Sequence, residues 1–498
     1  MASEKEVYRP EDSVAREKRD EAFLEDALSS KFEDEKTPRA QGDYSGAVEK
    51  TDPAEIMLVR KLDRRLMPIV WCMYFLNYVD RNAIASARLN GLEDDLGLRG
   101  TQYNTCISIL FVGYLLMQIP SNMLMSSGKV RPSIYMSICM ASWAIVSACT
   151  SLTKSYRGLV AVRFMLGITE APFYPGALFL LSLFYTRKEI ALRISILYSG
   201  NIVATALSGL IALATFETLD GKHGLKGWQW LFIIEGVVTF GVAILGLIML
   251  PDHPLTTKWL TPEERQLAHS RILADTVGGE ESKGVMAGFK EACRDPRLYL
   301  LVFMQNMHLS ACSFNNFFPT VIGTLGFNQT ITLALTCPPY IVSGVVGLIV
   351  GRTSGKWNER TWHITVTMGV AVAAFIVSCA TLNTPVRYLC CFLFTSGAYA
   401  VNSVILGWVS ATLGQTPEKK GASLAIVNVV ANASYIYTPY LYPDSDEPRY
   451  LTAMSSNAAF GAATILSAWA LRFWLQATNK KIRRGALPGA EDGMFYAY

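Results

Sequence analysis

The sequence predicts an all-α polytopic membrane protein with 12 transmembrane helices in two six-helix halves. Three observations predict it: scarce charge, twelve long apolar segments, and one charged break midway. Of the 498 residues 51% are hydrophobic and 17% charged, against roughly a quarter charged in an ordinary soluble domain. Residues 1–50 hold 14 acidic and 9 basic residues, and 251–297 hold another 15 charges, which leaves 48 in the other 401 residues. A soluble fold of that size needs more charge to cover itself, whereas a chain solvated by lipid needs little. The net charge of +4 is too mild and too scattered for a nucleic-acid face.

The segments follow in order. Residues 1–60 read as a mixed-charge, disordered cytosolic tail without the apolar run of a cleavable signal. Spans of about 20 apolar residues fall near 66–88, 102–126, 132–152, 158–184, 190–214 and 229–250, giving a first half over 61–250. A Pro- and Gly-punctuated linker occupies 251–297, where Thr-Pro-Glu-Glu-Arg (261–265) reads as the capped start of a surface helix. The second half, 298–478, holds spans near 298–322, 331–351, 362–381, 386–411, 421–440 and 451–477; residues 479–498 form a second cytosolic tail. Seventeen Lys and Arg in the loops on the tail side, against eight on the other, place both termini in the cytosol. The ten cysteines form no Cys-x-x-Cys pair and read as small buried hydrophobes. Asn328 heads a glycosylation sequon in a short loop.

An ionisable group in hydrocarbon is costly unless it faces a cavity or a partner, so the few that remain are the functional candidates. The first span carries Asp80 and Arg81, the fourth Arg163 and Glu170, the sixth Glu235, and the second half only His308. Arg163 and Glu170 stand seven residues apart, nearly two helical turns, and so share a face. The first and fourth spans are therefore expected to present two acids and two arginines to one cavity. Arginine's planar fork suits a carboxylate, and a buried acid beside an arginine can take or release a proton as that neighbour moves. This is the chemistry of a proton-coupled anion carrier; a static ion-pair network between two helices uses the same residues. Glu235 reads first as structural, His308 as a packing histidine, and Arg193 and Arg472 as interfacial anchors. Tyr78, Tyr114, Gln118, Asn315, Asn316, Asn402, Asn428 and Asn432 could hydrogen-bond a substrate or another helix. Tyr78, two residues from Asp80, is the favoured one.

Two stretches, Asn-Tyr-Val-Asp-Arg-Asn-Ala-Ile (77–84) and Arg-Phe-Met-Leu-Gly-Ile-Thr-Glu-Ala-Pro-Phe-Tyr-Pro-Gly (163–176), resemble the anion:cation symporter branch of the major facilitator superfamily. Within it the chain is most similar to the fungal allantoate permease group, with further matches at 101–106, 118–122, 227–236 and 425–434. The resemblance implies the major facilitator fold and proton-driven symport of an organic anion, with no cofactor. It makes Asp80 and Glu170 the proton-coupling acids, Arg81 a ligand of the substrate carboxylate, and Arg163 the partner of the acids. Tyr78, Tyr114 and Asn428 or Asn432 would line the site. Two departures touch the gates: 120–131 lacks the aspartate of the loop motif, and Gly355 stands where the matching loop carries an acid. The reading is a monomeric plasma-membrane transporter, not an enzyme, that imports a small carboxylate with protons. An exporter of an acidic metabolite and a non-transporting nutrient sensor remain its alternatives.

Overall fold

The computed structural model describes residues 52–126, 130–277, 285–414, 417–484 and 496, so most of the expected N-terminal tail lies outside the described residues. The first span is a helix over Pro53–Leu89, which begins before the expected boundary near residue 60. Asp52 caps it by accepting from the Ala54 N–H at 2.8 Å, and Pro53 supplies a preset first turn. Leu58, Leu62 and Leu66 then continue the apolar face outward at helical spacing and are fully buried. The remaining spans of the first half are Gln102–Ser126, Pro132–Cys149 with a 3₁₀ turn to Leu152, Tyr156–Phe184, Arg187–Leu219 and Gly227–Met249.

The seventh span runs Pro296–Ala311, a 3₁₀ turn over Ser313–Phe317, then Phe318–Gly323. Next come Gln329–Trp357, Thr361–Ala380 and Thr384–Thr412. The eleventh comprises Pro417–Asn432 and Ser434–Tyr437, and the twelfth Leu451–Arg483. Asn328 spends its side-chain oxygen on the cap of the eighth span, accepting from the Ile331 N–H at 2.8 Å.

Three spans are interrupted, each for a local reason. The fourth breaks between Glu170 and Phe173, where Pro172 has no N–H to offer the preceding turn. The seventh leaves α geometry at Cys312, and the eleventh breaks at Ala433. Irregular backbone at membrane depth survives where it is enclosed by protein or lines a cavity, and all three breaks lie beside the central cavity described below. Eight helices among the described residues are long and apolar enough to cross a membrane by length and composition. The first, second, seventh and eleventh spans fall short of that measure and supply most of the cavity wall. Outward faces are apolar: Val237, Ile244 and Ile248 of the sixth span are exposed while Glu235 and Thr239 of the same helix are buried.

Small residues set the closest helix contacts. A Cβ on Gly167 would stand 2.0 Å from the Leu110 carbonyl oxygen and 2.9 Å from the Tyr114 nitrogen, so the second and fourth spans touch backbone to backbone. Gly167→Val must push them apart; overpacking costs about 1–3 kcal/mol and more where backbone is the obstacle. We expect the detergent-purified variant to melt several degrees below the parent in a thermal unfolding scan, and an unchanged melting point would contradict this packing.

The linker is ordered where it is described. Thr261 and Glu264 form the expected capping box, with Thr261 Oγ1 accepting from the Glu264 N–H at 3.3 Å and Glu264 Oε2 from the Thr261 N–H at 2.9 Å. The helix Pro262–Val277 lies against the ends of the first half. Arg271 reaches Glu55 at 3.1 Å, Glu189 at 3.0 Å and the Phe184 carbonyl at 3.1 Å, and Lys61 pairs with Glu264 at 2.6 Å. Arg193 is no lipid anchor: it pairs with Asp63 at 2.6 Å and covers the Tyr185 ring. Arg472 reaches Glu359 at 2.7 Å. At the end of the linker Asp295 caps the seventh span and accepts from Arg297 at 2.6 Å and Lys419 at 2.9 Å. Burial alone would raise this carboxyl, but the hydrogen bonds from Arg297 and Lys419 outweigh it and hold it at about 2. A depressed carboxyl contributes stability above its unfolded value near 4 and loses it only as pH falls toward 2. Asp295 therefore stays charged between pH 5 and 8.

Candidate functional site

A polar cavity lies between the halves, walled by the first, second, fourth and fifth spans on one side and the seventh, tenth and eleventh on the other. The contacts that join the halves on the face away from the linker close it there. Arg88 at the end of the first span pairs with Asp444 at 2.7 Å, with its guanidinium 4.5 Å from the Tyr103 ring and 5.9 Å from that of Phe317. Asn104 donates to the Pro439 carbonyl at 2.9 Å, and Phe111 stacks on Tyr435 at 4.6 Å.

Among the described residues, the charged groups of the cavity, Arg81, Arg163 and Glu170, come from the first half. Arg81 donates from Nε to Glu170 Oε2 at 2.5 Å, and its guanidinium lies between the rings of Tyr78 and Tyr114 at 5.4 and 4.7 Å. The break after Glu170 leaves that acid on the last turn of its helical piece, facing the first span. Its other oxygen, Oε1, is buried with no hydrogen-bond partner. Arg163, 2% exposed, likewise has Nε and Nη2 without a partner. Two fixed cations and one carboxylate leave the wall with a charge of +1 when Glu170 is ionised and +2 when it is protonated. Such a wall fits a small anion.

The second half contributes neutral polar groups. Asn432 donates to Asn428 Oδ1 at 3.1 Å, Gln305 to Asn402 at 2.8 Å, and Asn402 across the halves to Tyr198 at 3.0 Å. His308 sits in the cavity wall rather than in plain packing. Its Nε2 lies 2.9 Å from the Ala398 carbonyl, which assigns the proton to Nε2, and Nδ1 is buried and bare.

Seven of the eight residues expected at the site, Tyr78, Arg81, Tyr114, Arg163, Glu170, Asn428 and Asn432, line this cavity. Asp80 does not. Neighbours on a helix point about 100° apart, so with Arg81 facing inward Asp80 turns to the third span. There it accepts from Trp143 Nε1 at 3.1 Å and Ser147 Oγ at 3.4 Å, fully buried. The expected quartet is therefore a trio in the cavity with one acid behind it. Tyr198 of the fifth span, Tyr399 of the tenth and Gln305 of the seventh belong to the wall and carried no charge signal in the sequence.

Two helical halves around a polar cavity, joined over it on the face away from the linker, define a membrane transporter. The chain belongs to the major facilitator superfamily: residues 70–439 match the family described as Major Facilitator Superfamily. It is 31% identical to the MFS-type transporter cnsO of Penicillium expansum, over 93% of this chain and 90% of that one. It is 29% identical to the major facilitator-type transporter hxnP of Emericella nidulans, over 86% and 87%. Its fold resembles a bacterial homolog of the human lysosomal transporter Spinster, with a TM-score of 0.64, 16% identity, and 84% and 96% of the two chains covered. A D-xylose–proton symporter follows with a TM-score of 0.60, 15% identity, and 81% and 96% covered.

Proposed function

We propose that this protein imports a small organic monoanion across the plasma membrane together with protons, as a member of the anion:cation symporter branch nearest the allantoate permease group. The observation that carries the reading is Arg81 held by Glu170, beside an Arg163 with two bare donors. A substrate carboxylate and the Glu170 carboxylate compete for the same guanidinium. A proton on Glu170 weakens its hold on Arg81 and raises the cavity charge, so protonation prepares the site for the anion and anion binding keeps the proton on. Tyr78 and Tyr114 hold the guanidinium plane in place, while Asn428, Asn432 and His308 offer hydrogen bonds to the far end of the substrate. With the termini and linker in the cytosol, the closed face is the outer one.

The test is uptake of labelled carboxylates by cells lacking their own permeases, at external pH 5 and 7.5. Uptake is expected to be several-fold faster at pH 5 and to collapse with a protonophore. Accumulation indifferent to both would end the symport reading.

A further inference from the structure

Behind the cavity lies a second buried charge cluster. Asp80, Glu235 and Arg163 are 0%, 4% and 2% exposed. Gly236 brings the sixth span onto the third: a Cβ there would lie 2.8 Å from the Ala144 carbonyl oxygen and 2.8 Å from Ala148 Cβ. That contact sets Glu235 against the stretch of the third span bearing Trp143 and Ser147, the two donors to Asp80. Thr239, one turn along the face of Glu235, lies beside Asp80. Glu235 interacts electrostatically with both Asp80 and Arg163, and its Oε2 is buried without a hydrogen-bond partner. Arg163 thus has one side toward the cavity and the other toward two acids.

We propose that Asp80 and Glu235 act as one carboxylate pair that holds a single exchangeable proton between them, with Arg163 as the counter-ion that links the pair to the cavity. The charge balance favours it. With both acids ionised, this dry cluster carries −1; one shared proton makes it neutral around Arg163, and like charges in such a space favour that state. The other groups facing the cluster are Glu170 of the fourth span, Tyr103 and Cys106 of the second near Arg163, and the neutral donors Trp143 and Ser147. When a substrate anion takes up Arg163 from the cavity side, the pair loses part of its counter-charge and keeps its proton; when the anion leaves, the proton follows through the cavity. Glu235 is thus a positioning residue for Asp80: it makes that acid able to hold a proton.

The inference rests on the proton-symport reading and adds a second proton to the one on Glu170. Monoanion uptake should then move one net positive charge per substrate. In proteoliposomes with an imposed pH gradient, charge and labelled substrate are counted together. The parent is expected to be electrogenic. Glu235→Gln and Asp80→Asn should each make uptake electroneutral, and the double variant should equal either single one, since all three remove the same proton. Glu235→Asp, which restores a carboxylate, should recover charge movement with the midpoint of its pH profile displaced by half a unit or more. If Glu235→Gln does not accumulate, Glu235→Asp carries the test. Parental charge per substrate in Glu235→Gln, or an unmoved midpoint in Glu235→Asp, would overturn the pair while leaving symport standing. A parent without proton dependence would instead overturn the function from which the pair was inferred.

Discussion

Arg81→Lys is expected to raise the KM for the carboxylate substrate on the order of 10–100-fold while the protein still reaches the membrane. A hydrogen bond to a charged group contributes about 1.5–3 kcal/mol, and every 1.4 kcal/mol is about tenfold in affinity. Lysine keeps the charge but gives up the planar fork and the stacking between the rings of Tyr78 and Tyr114 that fixes its orientation. Lysine is the informative choice because Arg81→Ala would strand Glu170 as an unpaired buried charge, and that costs about 3–5 kcal/mol in its own right. A stability defect would then pass for a binding defect. The check is concentration-dependent uptake normalised to surface protein, with the melting point of the purified variant measured beside it. A parental KM in Arg81→Lys would mean that the substrate is held elsewhere, with Arg163 and its bare donors the next candidate.

How much of this was legible before the structure varies with the physics involved. The spans were, because lipid imposes a length and a polarity that one sequence records directly; the expected stretch 102–126 coincides with the helix Gln102–Ser126. The start of the first helix was not. Its opening turns, with Glu55 and Arg60, read as tail, and Lys61, Asp63, Arg64 and Arg65 read as a charged flank ahead of the span; only the docking of the linker through Glu264 and Arg271 shows why they are helical. Within the site, the pairing of first-span and fourth-span charges followed from cost and spacing. The facing of Asp80 did not, since two adjacent residues on one helix cannot both be assigned inward and the sequence does not say which turns away. Glu235 read as structural for a related reason: its significance comes from the third span, where Gly236 seats it opposite the donors to Asp80. In the second half the wall is built from amides, phenols and one imidazole, residue types that helices also use merely to hold one another. Only their convergence on one cavity separates those uses.

Glu170→Gln should bind substrate and exchange it across the membrane, yet concentrate it far less than the parent. The amide is a permanent stand-in for the protonated acid: its carbonyl oxygen still accepts from Arg81, but it brings no negative charge to hold the guanidinium against an incoming carboxylate. Binding should therefore lose the part of its pH dependence that Glu170 supplies and, near neutrality, become tighter than in the parent. Accumulation is a different matter. One pH unit corresponds to about 1.36 kcal/mol per proton, so a two-unit gradient coupled to one proton sustains about a hundredfold accumulation. Deleting the group that carries that proton removes this factor, whereas a variant with a merely damaged fold would lose exchange as well. The pairing of preserved counterflow with an accumulation about a hundredfold lower under a two-unit gradient is what distinguishes the coupling role from a static tie between the first and fourth spans. In the static case the neutral amide would weaken the tie and lower stability, but leave the pH dependence of whatever transport remained unchanged. Asp295, charged throughout this range, cannot supply the response, so a pH effect that disappears in Glu170→Gln is assigned to the cavity. Concentrative uptake by the variant as steep as the parent's would exclude Glu170 as a carrier of a driving proton.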